Sequence, residues 1–155
     1  NKDEKPNRDL FKFLANASMD RLDQFDARHL SNLTYAYALI EYVPKFDDGS
    51  DLFDHIATEA VEVRKEFNAQ DISNVVWAYA TVNKPHTDLF EKMGDEIVTS
   101  KHLKEFKPQA IANTVWAYAT AGTNHSRLFE AVANYIVKSD SLDRFIPKHF
   151  SNTVW

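Results

Sequence analysis

The sequence predicts an all-α protein, a right-handed α-solenoid of stacked two-helix repeats with a period of about 39 residues. Three observations predict it. One stretch is written four times: residues 67–82 read FNAQDISNVVWAYATV, 106–121 read FKPQAIANTVWAYATA, 25–40 read FDARHLSNLTYAYALI, and 145–155 read FIPKHFSNTVW. The copies keep a period, since Asn32 to Asn74 is 42 residues and both Asn74 to Asn113 and Asn113 to Asn152 are 39. Between the copies a Leu-Phe pair recurs, as Leu10 with Phe11, Leu52 with Phe53, Leu89 with Phe90 and Leu128 with Phe129, and each pair opens a second kind of helix. The repeated stretch is termed helix A and the other helix B, giving the order B, A, B, A, B, A, B, A.

Residues 1–8 form a polar lead-in, expected to fray. Residues 9–20 then read as a B helix belonging to a preceding repeat, with Leu10, Phe13, Leu14 and Ala17 on one face. Repeat 1 covers about 25–66, repeat 2 about 67–105 and repeat 3 about 106–144, and 145–155 is the truncated A helix of repeat 4, all within one domain, 9–155. The ends of helix A are written locally. Asn68 stands at an N-cap with Asp71 three residues on, a variant of the capping box, and Phe67 precedes it as a hydrophobic staple. Pro108 and Pro147 fall at the first helical position, where a fixed φ helps and no donor is lost. Asn83-Lys84-Pro85 and Ala121-Gly122-Thr123-Asn124 stop the helix. Repeat 1 is longer because residues 41–50, with Pro44, Asp47, Asp48 and Gly49, insert a turn-rich segment expected to lie along one edge of the stack.

Helix A is apolar on more than one side: Ile72, Val75, Val76, Tyr79 and Ala80 form a broad face that Trp77 and Ala78 extend. Such a helix must be buried against its own B helix and both neighbouring repeats. Helix B is one-sided, with Leu89, Phe90, Met93 and Ile97 inward and Glu91, Lys92, Asp95 and Glu96 outward. The A helices therefore form the inner layer and line a concave surface, and the B helices form the outer one. The repeated Asn32, Asn74, Asn113 and Asn152 sit in apolar surroundings, where an amide needs partners, and are expected to form a ladder between repeats. Tyr35, Trp77, Trp116 and Trp155 are expected to be mainly core.

Composition narrows the chemistry. No cysteine is present, which excludes disulfides, thiolate metal sites and a cysteine nucleophile. The six histidines show no paired metal-ligand spacing, Asp47, Asp48 and Asp51 lack the register of a calcium loop, and no phosphate-binding or nucleophile-elbow motif occurs. The sequons at Asn16, Asn32 and Asn124 are set aside because Asn32 lies in a helix expected to be buried. The expectation is a binding module, not an enzyme, with no metal, cofactor, membrane span or small-molecule substrate. The last copy stops at Trp155 inside a helix, so the native polypeptide is expected to continue.

The frame F-x-[AP]-x-x-[ILF]-[SA]-N-x-[VT]-[WY]-A-Y-A, followed by a Leu-Phe B helix, resembles the octotricopeptide repeat and is similar to the heptatricopeptide repeats found upstream of RAP domains. The resemblance covers about 9–155. It implies an organellar RNA-binding protein, in chloroplast or mitochondrion, that acts on RNA processing, stability, translation or ribosome assembly through modular contacts to single-stranded mRNA or rRNA. The alternative is a protein-binding scaffold of tetratricopeptide type.

Positions constant between copies serve stacking, and positions that vary are free to read a ligand. The first turn of helix A varies Arg28, Gln70, Gln109 and Lys148 at one position and His29, Asp71, Ala110 and His149 at the next. One turn on, Leu33, Val75, Thr114 and Thr153 vary. These are the base-reading candidates, placed where a helix N-terminus also favours a phosphate. The phosphate candidates are Arg64, Lys65, Lys101, Lys104, Lys107 and Arg144, in the returns from B to A. The net charge of −5 opposes RNA binding, but residues 29–54 alone hold five acids and one base, so most of the excess lies in repeat 1.

Overall fold

The computed structural model describes residues 7–99 and 102–138. Among them are seven α-helices and no strand: α1 (Arg8–Met19), α2 (Ala27–Leu39), α3 (Leu52–Glu62), α4 (Ala69–Thr81), α5 (Thr87–Thr99), α6 (Pro108–Thr120) and α7 (Ser126–Lys138). Short 3-10 turns at Leu22–Gln24, Arg64–Glu66 and His102–Lys104 lead from α1 to α2, from α3 to α4 and from α5 to α6. The A helices pack in series, α2 on α4 and α4 on α6, and the B helices do the same, α1 on α3, α3 on α5 and α5 on α7. The molecule is a two-layer helical-repeat solenoid, as the repeated motif predicts. The truncated A helix at 145–155 lies outside the described residues.

Caps set each helix. Asn68 Oδ1 accepts from the backbone N–H of Gln70 and Asp71, both at 2.9 Å, and Asp71 returns the bond to the Asn68 N–H, completing the predicted capping box. Asn7 and Asp26 cap α1 and α2 with one bond each, from the N–H of Leu10 and His29, and Asp51 with Asp54 forms a second box at α3. Pro108 stands at the first position of α6, whose N-cap Lys107 supplies no side-chain bond. At α5 and α7 the acceptor is an imidazole: His86 Nδ1 takes the Leu89 N–H at 3.3 Å and His125 Nδ1 the Leu128 N–H at 3.2 Å. At the other end, α2, α4 and α6 close alike. Glu41, Asn83 and Gly122 adopt positive φ, and the following N–H of Tyr42, Lys84 and Thr123 reaches back to the carbonyl of Tyr37, Tyr79 and Tyr118. The inserted segment of repeat 1 is an ordered turn, pinned by Phe46 N–H to Ser50 O at 2.9 Å and by buried Pro44.

The recurring tyrosine ties the layers together. Tyr37, Tyr79 and Tyr118 are buried, and their hydroxyls donate to the carbonyls of Phe11, Phe53 and Phe90 at 2.7, 2.5 and 2.6 Å. Each ring also meets the same phenylalanine edge-on, with centroids 5.5, 5.1 and 5.0 Å apart. A hydrogen bond of about 1 kcal/mol and an edge-to-face pair of about 0.5–1.5 kcal/mol are thus written once per repeat, joining helix A to the B helix before it. Burial holds the hydroxyls protonated: it pushes Tyr37 up to about 12, aided by Tyr42, and raises Tyr79 and Tyr118 well above the usual phenol value.

The expected asparagine ladder is replaced by a serine one. Ser31 Oγ donates to Asp71 O at 3.4 Å and Ser73 Oγ to Ala110 O at 3.2 Å, each bond crossing from one A helix to the next. These serines are fully buried. Residue 31 is one position before Asn32, a rotation of about 100° at 3.6 residues per turn, and that rotation turns the serine to the neighbour and the asparagine outward.

Candidate nucleic-acid interface

The outward face of the A layer carries the same register in three successive helices. Its second, sixth and ninth residues are Arg28, Asn32 and Tyr35 in α2, Gln70, Asn74 and Trp77 in α4, and Gln109, Asn113 and Trp116 in α6. Spacings of four and three place each trio on one face of its helix. In α4 and α6 the two amides are joined: Gln70 Nε2 donates to Asn74 Oδ1 at 2.8 Å and Gln109 Nε2 to Asn113 Oδ1 at 2.7 Å. Trp77 and Trp116 are half-buried, and the Tyr35 ring lies 5.2 Å from that of Trp77 at a 43° tilt. The aromatics both pack and present part of their surface, so the mainly-core expectation holds for only part of each ring.

Of the base-reading candidates, Arg28, His29 and Gln70 are exposed and Gln109 is half-buried. His29 leans on its own cap, with Nδ1 3.0 Å from Asp26 Oδ1. Asp71, Val75, Ala110 and Thr114 are buried, at 7, 0, 4 and 2% exposure, and are not presented to a solute. The third residues, Asp71 and Ala110, take a serine bond from the preceding A helix on their carbonyls, and the seventh lie four residues on along the same face, so their variation between copies follows the packing partner. His29 and Leu33 hold the same register in α2, where among the described residues no A helix precedes, and so remain exposed and half-buried. Lys148, His149 and Thr153 lie outside the described residues.

The phosphate candidates divide similarly. Lys65, Lys104 and Lys107 are exposed, with Lys107 immediately before α6. Arg64 is half-buried and donates Nη1 to Val61 O at 2.9 Å, which satisfies a carbonyl in the last turn of α3. Lys101 and Arg144 lie outside the described residues. The residues that sequence reasoning assigned elsewhere are Asn32, Asn74 and Asn113. A polar residue four before each asparagine in an otherwise apolar helix, Arg28, Gln70 and Gln109, is the sequence signal that marks them as one surface feature.

A separate open groove of about 570 Å³ lies at the turns after α4 and α6, lined by Pro85, Asp95, His125 and Arg127 among others. Within it Asp95 Oδ1 stands 3.1 Å from Arg127 Nη1 and 3.5 Å from His125 Nε2. Nearby, Lys84 Nζ bridges Asp51 and Asp54 at the start of α3, 3.0 Å from the latter. Burial acts against the Lys84 charge, but its bonds to Asp51 and Asp54 outweigh it and raise the pKa. Burial likewise acts against the Asp54 charge, and the Lys84 bond outweighs it and lowers the pKa.

Residues 5–144 match the family described as RNA-editing substrate-binding complex 6 protein. The chain belongs to this family. The region matched to the RNA-editing substrate-binding complex 6 family takes in every described helix, from α1 to α7. It is an RNA-related helical family, which agrees in kind with the repeat resemblance while naming a family other than the octotricopeptide one. No curated protein matches the chain. Among the described residues, no helix of this family member is long and apolar enough to cross a membrane.

Proposed function

We propose that the chain binds single-stranded RNA along the outward face of its A layer, as a subunit of a mitochondrial assembly that holds RNA-editing substrates. The observation that carries the reading is the pair of amide couples, at 2.8 and 2.7 Å, set beside half-buried tryptophans on successive helices. Unpaired bases are recognised by stacking on aromatic rings and by hydrogen bonds to their edges, and this face offers both. Lys65, Lys104 and Lys107 would contact phosphates. The family description supports RNA and a multi-protein setting, and it favours the mitochondrion of the two organelles that the repeat resemblance implies. The likeness of the repeat frame to octotricopeptide repeats supports the same reading.

The exposed acids Glu41, Asp47 and Asp48 favour protein contacts at the repeat 1 end. Purified protein titrated with a pooled single-stranded RNA at several salt concentrations tests the proposal. RNA retained at low salt, released as salt rises, and with a shallower salt slope after Lys65, Lys104 and Lys107 are changed to Gln, is the expected result. No retention of any RNA at low salt would leave the tetratricopeptide-type protein scaffold as the reading.

A further inference from the structure

Resting on that RNA-binding reading, we infer that Gln70 with Asn74 and Gln109 with Asn113 are two copies of one base reader, selecting the same base, adenine, at two closely spaced positions of the RNA. The two pairs match in residue type, helix register, donor and acceptor, and bond length. A primary amide has two N–H donors and a carbonyl with two lone pairs. The intrahelical bond uses one Gln N–H and one Asn lone pair. The Gln carbonyl and its second N–H stay free, as do both Asn N–H groups. A donor and an acceptor side by side on one planar amide complement the N6/N7 edge of adenine, where N6–H₂ donates and N7 accepts, whereas on that edge guanine has only acceptors and cytosine and uracil have one polar group each. The bond to Asn74 or Asn113 also holds the Gln amide in one orientation before the base arrives, which lowers the entropy lost on binding. Trp77 and Trp116 stand three residues beyond each Asn, one turn along the same face, where a base paired to the amide can stack.

Repeat 1 supplies the contrast. Arg28 holds the Gln position there, and a guanidinium has donors only, so that repeat cannot make the donor-acceptor pair. The same difference gives the test, because exchanging Gln for Arg at an exposed or half-buried site converts one reader without touching the packed faces.

Selection from a randomised single-stranded RNA pool, followed by sequencing, is performed on the wild type, Gln70→Arg, Gln109→Arg and the double variant. Far-UV circular dichroism confirms that each variant is folded. The wild type is expected to enrich two adenines about tenfold over other bases at the same positions. Each single variant loses one of them and keeps the other, and the double variant loses both while still binding RNA. Wild-type selection with no matched pair, or a pair that survives both substitutions, overturns the inference and leaves RNA binding standing. A matched pair of some other base overturns the adenine assignment. Failure of the wild type to enrich any RNA overturns the binding reading itself.

Discussion

At the scale of single residues, the fold depends on side chains that repeat because the contact they make repeats. The Tyr79 hydroxyl reaches a carbonyl of the previous B helix while its ring packs on the Phe53 side chain. Tyr79→Phe keeps the ring and removes the bond, and is expected to lower stability by about 1 kcal/mol. Tyr79→Ala removes both and should lower it by about 3–5 kcal/mol, read from urea midpoints. Gly94 shows the opposite constraint. A Cβ there would lie 2.5 Å from Cδ2 of His125, whose ring caps α7. Gly94→Ala should therefore destabilise the protein despite a gain of about 1 kcal/mol in helix propensity, and a second change, His125→Ala, should recover part of that loss.

The Lys84 bridge gives a pH signature at the same scale. Asp54 has a folded pKa below its ordinary 3.8, so its contribution is present above that value and is lost as pH falls through the depressed one. Lys84 has a folded pKa above its ordinary 10.5, so its contribution is complete below that value and is lost as pH rises through the raised one. Urea midpoints followed against pH should fall at both extremes, and Lys84→Met should flatten the alkaline limb. Both side chains are partly exposed, so added salt should weaken the effect.

At the scale of the element, each helix is bounded by its own few residues. Asn68 satisfies two backbone donors of α4, and Asn68→Ala is expected to cost about 1 kcal/mol, whereas Lys107→Ala, at a cap with no side-chain bond, should cost much less. The three positive-φ stops are occupied by Glu41, Asn83 and Gly122, in a conformation that glycine and asparagine adopt most readily. Glu41→Gly should consequently stabilise the end of α2, seen as a small rise in melting temperature, while Gly122→Val should lower it.

At the scale of the whole molecule, stability is a chain of neighbour contacts. Among the described residues, α4 is the A helix flanked by A helices on both sides, and its amides should exchange with solvent most slowly, with α1 and α7 fastest. Hydrogen exchange measured helix by helix checks this order. The face proposed to bind RNA is likewise a property of the stack. On that face α4 and α6 each present one Gln, one Asn and one Trp, so a multi-base surface arises only when neighbours align.

The sequence by itself determined the helices, their order and the two-layer stack. Those follow from a period of 39 residues, the Asn68-Asp71 cap, Pro108 and the stops at Asn83 and Gly122, all local signals that each copy repeats. Variation between copies also singled out Arg28 and Gln70, which are exposed. It could not separate them from Asp71, Val75, Ala110 and Thr114, which vary as well yet are buried. Only the tertiary structure decided that, because the direction a residue faces depends on where the preceding A helix lies. The same packing placed Ser31 and Ser73 in the ladder and turned the asparagines outward to meet glutamine. A rotation of one residue about the helix axis separates the buried ladder from the outward face. Periodicity fixes that rotation within a helix, and only the neighbouring helices fix it in space.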